Sequence, residues 1–394
     1  MNLKILSNEV QLFINDNLAT DIHKIILKKS PFAEVTSKEL VEQIESKSKA
    51  KQKLPTWYAT KNIFYPNKLN LSQTSSELAA YYKSTLVQGK SLIDITAGLG
   101  IDSFAFSKNI NKVIHVEQNE ELSAIAHYNF IQLGATNIEC ISADGISFLK
   151  NYPHTSDWIY LDPSRRDKNN NKVYFLSDCE PDVNEHLNFI FTKSNNILIK
   201  TGPLLDLNNG LKQLKNVKEI HIVAIGNDVK EILWLLEKNY DGEPLIKTIN
   251  FKNEIEQTFQ FHLKQEQSAI SKYSYPLEYL YEPNAAILKS GSFEYVGSYY
   301  NLNKIHSNSH LYTSVKLISF PGRVFKILTI LDYTKKSFKK TAISKANIST
   351  RNFPDSVEKI RKKLNLKDGG NSYLFFTTDK DQKLIVLNCT QIFE

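Results

Sequence analysis

Residues Asp94-Ile95-Thr96-Ala97-Gly98-Leu99-Gly100-Ile101-Asp102 constrain the fold of this chain more than any other stretch. They follow the short apolar run Ser91-Leu92-Ile93 and lead into Ser103-Phe104-Ala105-Phe106. The pattern reads as a strand, a glycine turn and the start of a helix. Gly98 and Gly100 carry no Cβ, so backbone at the turn can come within contact distance of a ligand.

Beyond the turn, strand and helix signals alternate in a way that implies a parallel sheet. The strand candidates are residues 91–95, 112–116, 138–142, 157–161, 196–199 and 219–225. Helices are expected between most of them, notably over 120–133 and 183–192, with a further one over 229–236. Residues 247–250 and 259–263 read as a last strand or hairpin, and 167–171 as a polar loop. Ahead of the sheet, residues 1–60 read as helical. Apolar residues recur at helical spacing from Asn8 to Lys28. Thr36-Ser37-Lys38-Glu39 reads as a capping box opening a second helix, 40–48.

Acidic residues stand at the expected ends of successive strands. Asp94 and the turn Thr96–Gly100 end the first, and Glu117, 23 residues after Asp94, ends the second. Asp144, in Ser142-Ala143-Asp144-Gly145, ends the third, and Asp162-Pro163 the fourth. Open α/β sheets gather such groups in one crevice at the carboxyl ends of the strands. The set matches what S-adenosylmethionine requires. Its carboxylate wants backbone N–H groups, its ribose hydroxyls a carboxylate after the second strand, and its adenine amino group an acceptor after the third. The methyl acceptor then sits beside the fourth. Each acidic residue alone reads more readily as a solvated loop residue; their order and spacing are what single them out.

Composition excludes several classes. At 394 residues, 41% apolar and 23% charged, the chain is that of a globular protein with room for two or three domains. No apolar run approaches the ~20 residues of a membrane helix, and the N-terminus lacks the apolar core of a secretory signal. Cys140, Cys179 and Cys389 are odd in number and far apart. That argues against disulfides or a cysteine zinc site and for a reducing cytoplasm. No His/Cys/Asp spacing reads as a metal site. Charge is uneven: residues 284–394 hold 18 Lys+Arg against 8 Asp+Glu, a net of +10, and the other 283 hold 31 against 34, a net of −3. Such asymmetry points to a nucleic-acid-binding end, with solubility as the plainer alternative.

The pattern resembles the class I S-adenosylmethionine-dependent methyltransferases over roughly residues 70–265. The form Asp94-x-Thr96-Ala97-Gly98-x-Gly100-x-Asp102 is similar to that of small-subunit rRNA guanine-N2 methyltransferases. It is more similar still to a bacterial group with a C-terminal THUMP-like domain. That resemblance extends to Gln73-Thr74-Ser75-Ser76-Glu77 before the core. After the core it includes Tyr281-Glu282-Pro283-Asn284, Leu311-Tyr312-Thr313-Ser314, Arg351-Asn352-Phe353-Pro354 and Lys367-Asp368-Gly369-Gly370. It implies an α/β, Rossmann-like methyltransferase core over 61–270 after an N-terminal helical region, 1–60. Two α+β domains follow, ferredoxin-like over 271–330 and THUMP-like over 331–394. The implied cofactor site comprises Gln73, Ser76, Asp94, Thr96, Ala97, Gly98, Gly100, Asp102, Glu117, Gln118, Asp144, Gly145 and Asp162. The implied catalytic motif is Asp162, Pro163, Ser164 and Arg165.

That motif departs from the pattern of amine-methylating relatives, which carry Asn/Asp-Pro-Pro and an aromatic ring. Arg165 could stack on a base in place of the ring, grip a phosphate, or with Arg166 pair with Asp167. Lys200-Thr201-Gly202-Pro203, after the fifth strand, is either a turn or a segment reaching the substrate. Gln73–Glu77 could serve only to cap the helix 78–83, through Ser75 or Ser76. His115 and His221 read as core. Beyond about Pro283, β-like runs are expected over 293–296, 315–320 and 325–331, and a hairpin over 372–377 and 384–387. Between Lys326 and Lys367 lie 12 Lys/Arg and 3 acids, with Tyr333, Phe338 and Phe353 interleaved. Cations give affinity for phosphates, and rings can stack exposed bases; the plainer alternative is a solvated basic helix with Phe353 buried. THUMP domains bind RNA in the enzymes that carry them, so the expected partner is rRNA or tRNA, met through the basic C-terminal domain. A non-catalytic RNA-binding protein on the same fold is the alternative. A nicotinamide oxidoreductase fits less well, because Gly98-x-Gly100-x-x-Ser103 lacks the third glycine of the dinucleotide fingerprint.

Overall fold

The computed structural model describes every residue except 165–175, 177–178, 254, 342 and 393–394. The chain divides into two compact units, Met1–Val217 with Leu233–Asp241, and Lys218–Ile232 with Gly242–Glu394.

The first unit opens with helices. The spacing expected to give one helix from Asn8 to Lys28 gives two, Asn8–Asp16 and His23–Ile26. Asn17 ends the first by donating its side-chain amide to the Phe13 carbonyl at 2.8 Å, a polar competition for backbone groups that periodicity does not register. Thr36 and Glu39 form the expected capping box, and the helix behind it runs over Ser37–Lys53. Short helices Pro55–Ala59 and Lys68–Gln73 follow, then Glu77–Thr85, capped by Ser76.

Five parallel strands come next: β1 Gly89–Asp94, β2 Ile110–Glu117, β3 Ile138–Ser142, β4 Ser156–Leu161 and β5 Ser194–Thr201. Their order is β3-β2-β1-β4-β5. β1 is central, and Asp94 stands in register with His115 on one side and Tyr160 on the other. The connecting helices Ile101–Phe106, Glu120–Gln132, Gly145–Asn151 and Val183–Lys193 bury their apolar faces, including Phe106, Phe130, Leu149 and Ile190. His115 is fully buried, edge-on to Phe130, and burial pushes its imidazole down to about 4.

Two strands span the boundaries between the units: β6 Val217–Ile225 and β7 Asp228–Glu237. The helix expected over residues 229–236 is therefore a strand. Ile232 to Leu236 are all buried, and a continuous apolar run reads alike for a buried strand and a buried helix. The deciding signal is Gly226-Asn227, both at positive φ, a two-residue hairpin turn.

In the second unit, β8 Leu245–Lys252 runs parallel to β6 and antiparallel to β9 Ile255–His262. A separate eight-stranded sheet contains β10 Lys272–Tyr273, β11 Tyr279–Pro283, β12 Asn303–Lys304 and β13 Tyr312–Ser314. It continues with β14 Gly322–Asp332, β15 Lys345–Arg351, β16 Lys367–Thr378 and β17 Leu384–Gln391. The order is β10-β12-β13-β11-β14-β17-β16-β15. β16 and β17 form the expected C-terminal hairpin. Two expected β runs are not strands. Residues 293–296 enter a short helix, Tyr295–Tyr299, because the Glu266 carboxylate accepts the N–H groups of Phe293, Glu294 and Tyr295 at 2.8–3.0 Å. Residues 315–320 are irregular, and their backbone is satisfied by the Tyr281 hydroxyl, which donates to Lys316 O and accepts from Ile318 N. Among the described residues, no helix is long and apolar enough to cross a membrane.

Glu282 ties three strands of this sheet together. Its side chain is 4% exposed, and its two oxygens meet Arg323 of β14 and Arg351 of β15. Removing one member of a buried ion pair costs about 3–5 kcal/mol. Here both guanidiniums are about a third exposed and can rehydrate, so Glu282→Ala is expected to cost about 2–3 kcal/mol. Hydrogen exchange of β11 and β15 amides measures it; unchanged protection there would contradict the assignment.

Candidate active site

The turn after β1 is wired to its neighbours by short hydrogen bonds. Asp94, fully buried, accepts the Thr96 N–H at 3.2 Å and the Ser103 hydroxyl at 2.7 Å. Ala97 N–H donates to Val116 O in β2, and Gly98 N–H to Glu117 Oε2 at 2.8 Å. Thr96 Oγ1 accepts the Asp162 N–H from the end of β4 at 2.6 Å. Gly98 and Gly100 have φ of +57° and +83°, a region side chains rarely enter. Their surroundings differ. A Cβ on Gly98 would meet nothing within 4 Å, whereas one on Gly100 would lie 2.3 Å from the Phe130 ring. Gly98 is thus the open side of the turn. Gly100 is required by packing against the helix Glu120–Gln132, not by close approach to a ligand.

The acidic residues fall where the spacing puts them, at the carboxyl ends of adjacent strands. Glu117 is half-buried and engages both oxygens, Oε2 with Gly98 N–H and Oε1 with Asn119 N–H, each at 2.8 Å. Asp144 is exposed and caps the helix Gly145–Asn151 through Ser147 N–H at 2.8 Å. Gly145 lies against β1, where a Cβ would stand 2.2 Å from Ile95 O. Asp162 is half-buried, Pro163 is buried, and Ser164 is exposed with its backbone bonded to Glu180 in both directions. Gln118 is exposed beside Glu117, and Gln73 is exposed at the end of its helix. Arg165, with Arg166 and Asp167, lies outside the described residues.

A buried network lies beneath the turn. Asp102 is bonded by Ser75 Oγ at 3.0 Å and Tyr160 OH at 2.8 Å, and Lys83 Nζ stands 3.2 Å from its other oxygen. Lys83 also donates to Ser75 Oγ at 3.0 Å. Burial works to raise the Asp102 carboxyl, but Lys83, Lys200 and the hydroxyl bonds outweigh it and hold the group below its ordinary range. Ser76 spends its hydroxyl capping the helix Glu77–Thr85. In the Gln73–Glu77 motif it is therefore Ser75 that reaches the glycine-turn helix. Sequence reasoning missed Lys83, because a lysine on an amphipathic helix reads as solvated.

The basic end of the second unit differs from its expectation in one respect. Phe338 is buried, and with Tyr333 and Phe353 it packs around Phe376. Tyr333 donates to Asp355 at 2.8 Å and lies under Lys363, whose Nζ is 3.7 Å from the ring centroid. Phe338 is part of a core, and Tyr333 and Phe353 pack against that core half-buried. The lysines do remain outside: Lys335, Lys336, Lys339, Lys340 and Lys362 are all exposed.

Comparison with known proteins places the chain in a class. A crystal structure of a "putative methyltransferase" from Porphyromonas gingivalis W83 is 31% identical, covers 99% of this chain and 98% of its own, and superposes with a TM-score of 0.89. A family model for a ferredoxin-like domain matches residues 279–321, and one for a THUMP domain-like family matches residues 322–391. The chain belongs to the family of the P. gingivalis protein, the class I methyltransferases of the bacterial group that carries a THUMP-like domain. An "Uncharacterized RNA methyltransferase" of Thermotoga maritima is 34% identical over 97 residues, which are 24% of this chain and 22% of that protein. The chain thus matches under a quarter of that relative's length.

Burial raises the Asp94 carboxyl from 3.8 to about 8, with Ser103 opposing and Asp102 adding to the rise. The folded state therefore binds a proton that the unfolded state releases above pH ~4, and stability falls as pH rises toward 8. Asp94→Asn is expected to flatten that fall. Urea unfolding at pH 5 and pH 8, followed by the fluorescence of Trp57, Trp158 and Trp234, all in the first unit, measures it. An equal loss of stability in both proteins would contradict it.

Proposed function

We propose that this chain transfers the methyl group of S-adenosylmethionine to a base in rRNA or tRNA. The observation that carries the proposal is the convergence of the Thr96–Gly100 turn, Glu117, Asp144 and Asp162 at the carboxyl ends of four neighbouring parallel strands, β1 to β4. The carboxylates fit the ligand. The turn is open at Gly98 and offers the cofactor room, while the N–H groups of Thr96, Ala97, Gly98 and Gly100 are bonded within the protein. Each Glu117 oxygen accepts one N–H, and a carboxylate oxygen can accept two, so lone pairs remain for two ribose hydroxyls. Asp144 offers a further acceptor for the adenine amino group.

When bound, S-adenosylmethionine supplies a methyl group on a positively charged sulfur. The chain's part is positioning, since in-line displacement gains most from a fixed approach. Asp162 would hold the acceptor base, flipped from its stack. The exposed lysines of the second unit would neutralise RNA phosphates, a salt-sensitive contribution without sequence preference. The Thermotoga relative supports RNA as the substrate class.

Calorimetric titration of the full chain with S-adenosylmethionine, and separately with NAD(H), tests the reading. The first alone is expected to bind, and Glu117→Ala to weaken it about tenfold or more, the worth of one charged hydrogen bond. Asp162→Ala is expected to keep that affinity within a few-fold and to abolish methyl transfer to RNA from a strain lacking the gene. Loss of cofactor binding in Asp162→Ala, or binding of NAD(H), would contradict it.

A further inference from the structure

We propose that Lys200 is a positioning residue for methyl transfer that acts through Asp162; the inference rests on the methyltransferase reading above. The two residues stand at the carboxyl ends of adjacent parallel strands, one step beyond the paired residues Leu161 and Ile199. Lys200 Nζ is ion-paired and hydrogen-bonded to Asp162 Oδ2. The lysine side chain is 14% exposed and the carboxylate 32%. This is not a surface pair free to reorient and worth little. An ammonium withdrawn this far from water requires an anion within reach, and the strand register supplies Asp162.

The consequence is a carboxylate held at two points. Its main chain is fixed by the bond from Asp162 N–H to Thr96 Oγ1, so it moves with the glycine turn. Its side chain is fixed by Lys200, which holds Oδ2; among the described residues nothing is bonded to Oδ1, which would accept from the methyl acceptor. The charge of Lys200 also reaches Asp102, helping to hold that carboxyl ionised within the Lys83–Ser75–Tyr160 network. One lysine thereby couples the carboxylate beside the acceptor to the buried network under the turn. A role confined to packing would show in stability; a positioning role shows in turnover.

The test uses the purified full chain, S-adenosylmethionine with a labelled methyl group, and total RNA from a strain lacking the gene. Lys200→Met is expected to lower kcat about 100-fold, the penalty of a misplaced reacting group. The calorimetric Kd for S-adenosylmethionine should stay at the value of the unaltered chain, and the Tm should fall by only about 2–4 °C, the cost of one part-buried ion pair. Lys200→Arg, which keeps the charge, is expected to recover most of the loss. Adding Lys200→Met to Asp162→Asn is expected to change kcat little beyond Asp162→Asn alone, because residues acting as one unit are not additive. Full activity in Lys200→Met, failure of arginine to rescue, additive losses, or a parallel fall in Tm and cofactor affinity would each overturn the inference. Absence of transfer by the unaltered chain would instead overturn the RNA methyltransferase reading, and this inference with it.

Discussion

The hydrogen-bonded turn after β1 is the constraint on which the rest of the site depends. Within five residues it takes a bond from β4 at Thr96 and gives bonds to β2 at Ala97 and Gly98. Adjacent parallel strands fix their ends only as well as their loops allow. Here Glu117 and Asp162 are joined through the turn itself, by bonds of 2.8 and 2.6 Å. Any shift of the turn moves both carboxylates together, so the geometry a ligand meets is set before it arrives.

This order has an energetic penalty. Asp94, Lys83 and Asp102 are charged or titratable groups in a largely apolar interior. Burying an ion pair seldom stabilises a protein relative to apolar packing of the same volume. What the arrangement provides is placement. Lys83 and Ser75 pull the segment before the core onto the helix that follows the turn, and Tyr160 ties β4 to the same point. Phe130, packed where Gly100 lacks a side chain, adds the apolar contact that seats the turn on the helix after β2.

Much of this was legible in the sequence. The glycine turn, the alternation of strands and helices, and the acidic strand ends were read from spacing, because each follows from local rules that tertiary contacts rarely override. The sequence of β7 reads as a helix, since Ile232 to Leu236 are buried throughout and carry no alternation. Only the Gly226-Asn227 turn marks it as a strand. Residues 293–296 and 315–320 misled for another reason. Their backbone groups bond to Glu266 and Tyr281, partners distant in sequence. The same blindness hid Lys83 and the pairing of Lys200 with Asp162, which lie on different elements. It also made Tyr333, Phe338 and Phe353 read as interleaved with cations, when the sheet turns them onto Phe376.

The most direct test of the central claim is a crystal structure of the chain grown with S-adenosylhomocysteine, the product of methyl transfer. The account predicts the ligand at the carboxyl ends of β1 to β4, its ribose on Glu117, its adenine near Asp144 and its sulfur toward Asp162. A ligand bound elsewhere, or seated there with its ribose away from Glu117, would contradict it.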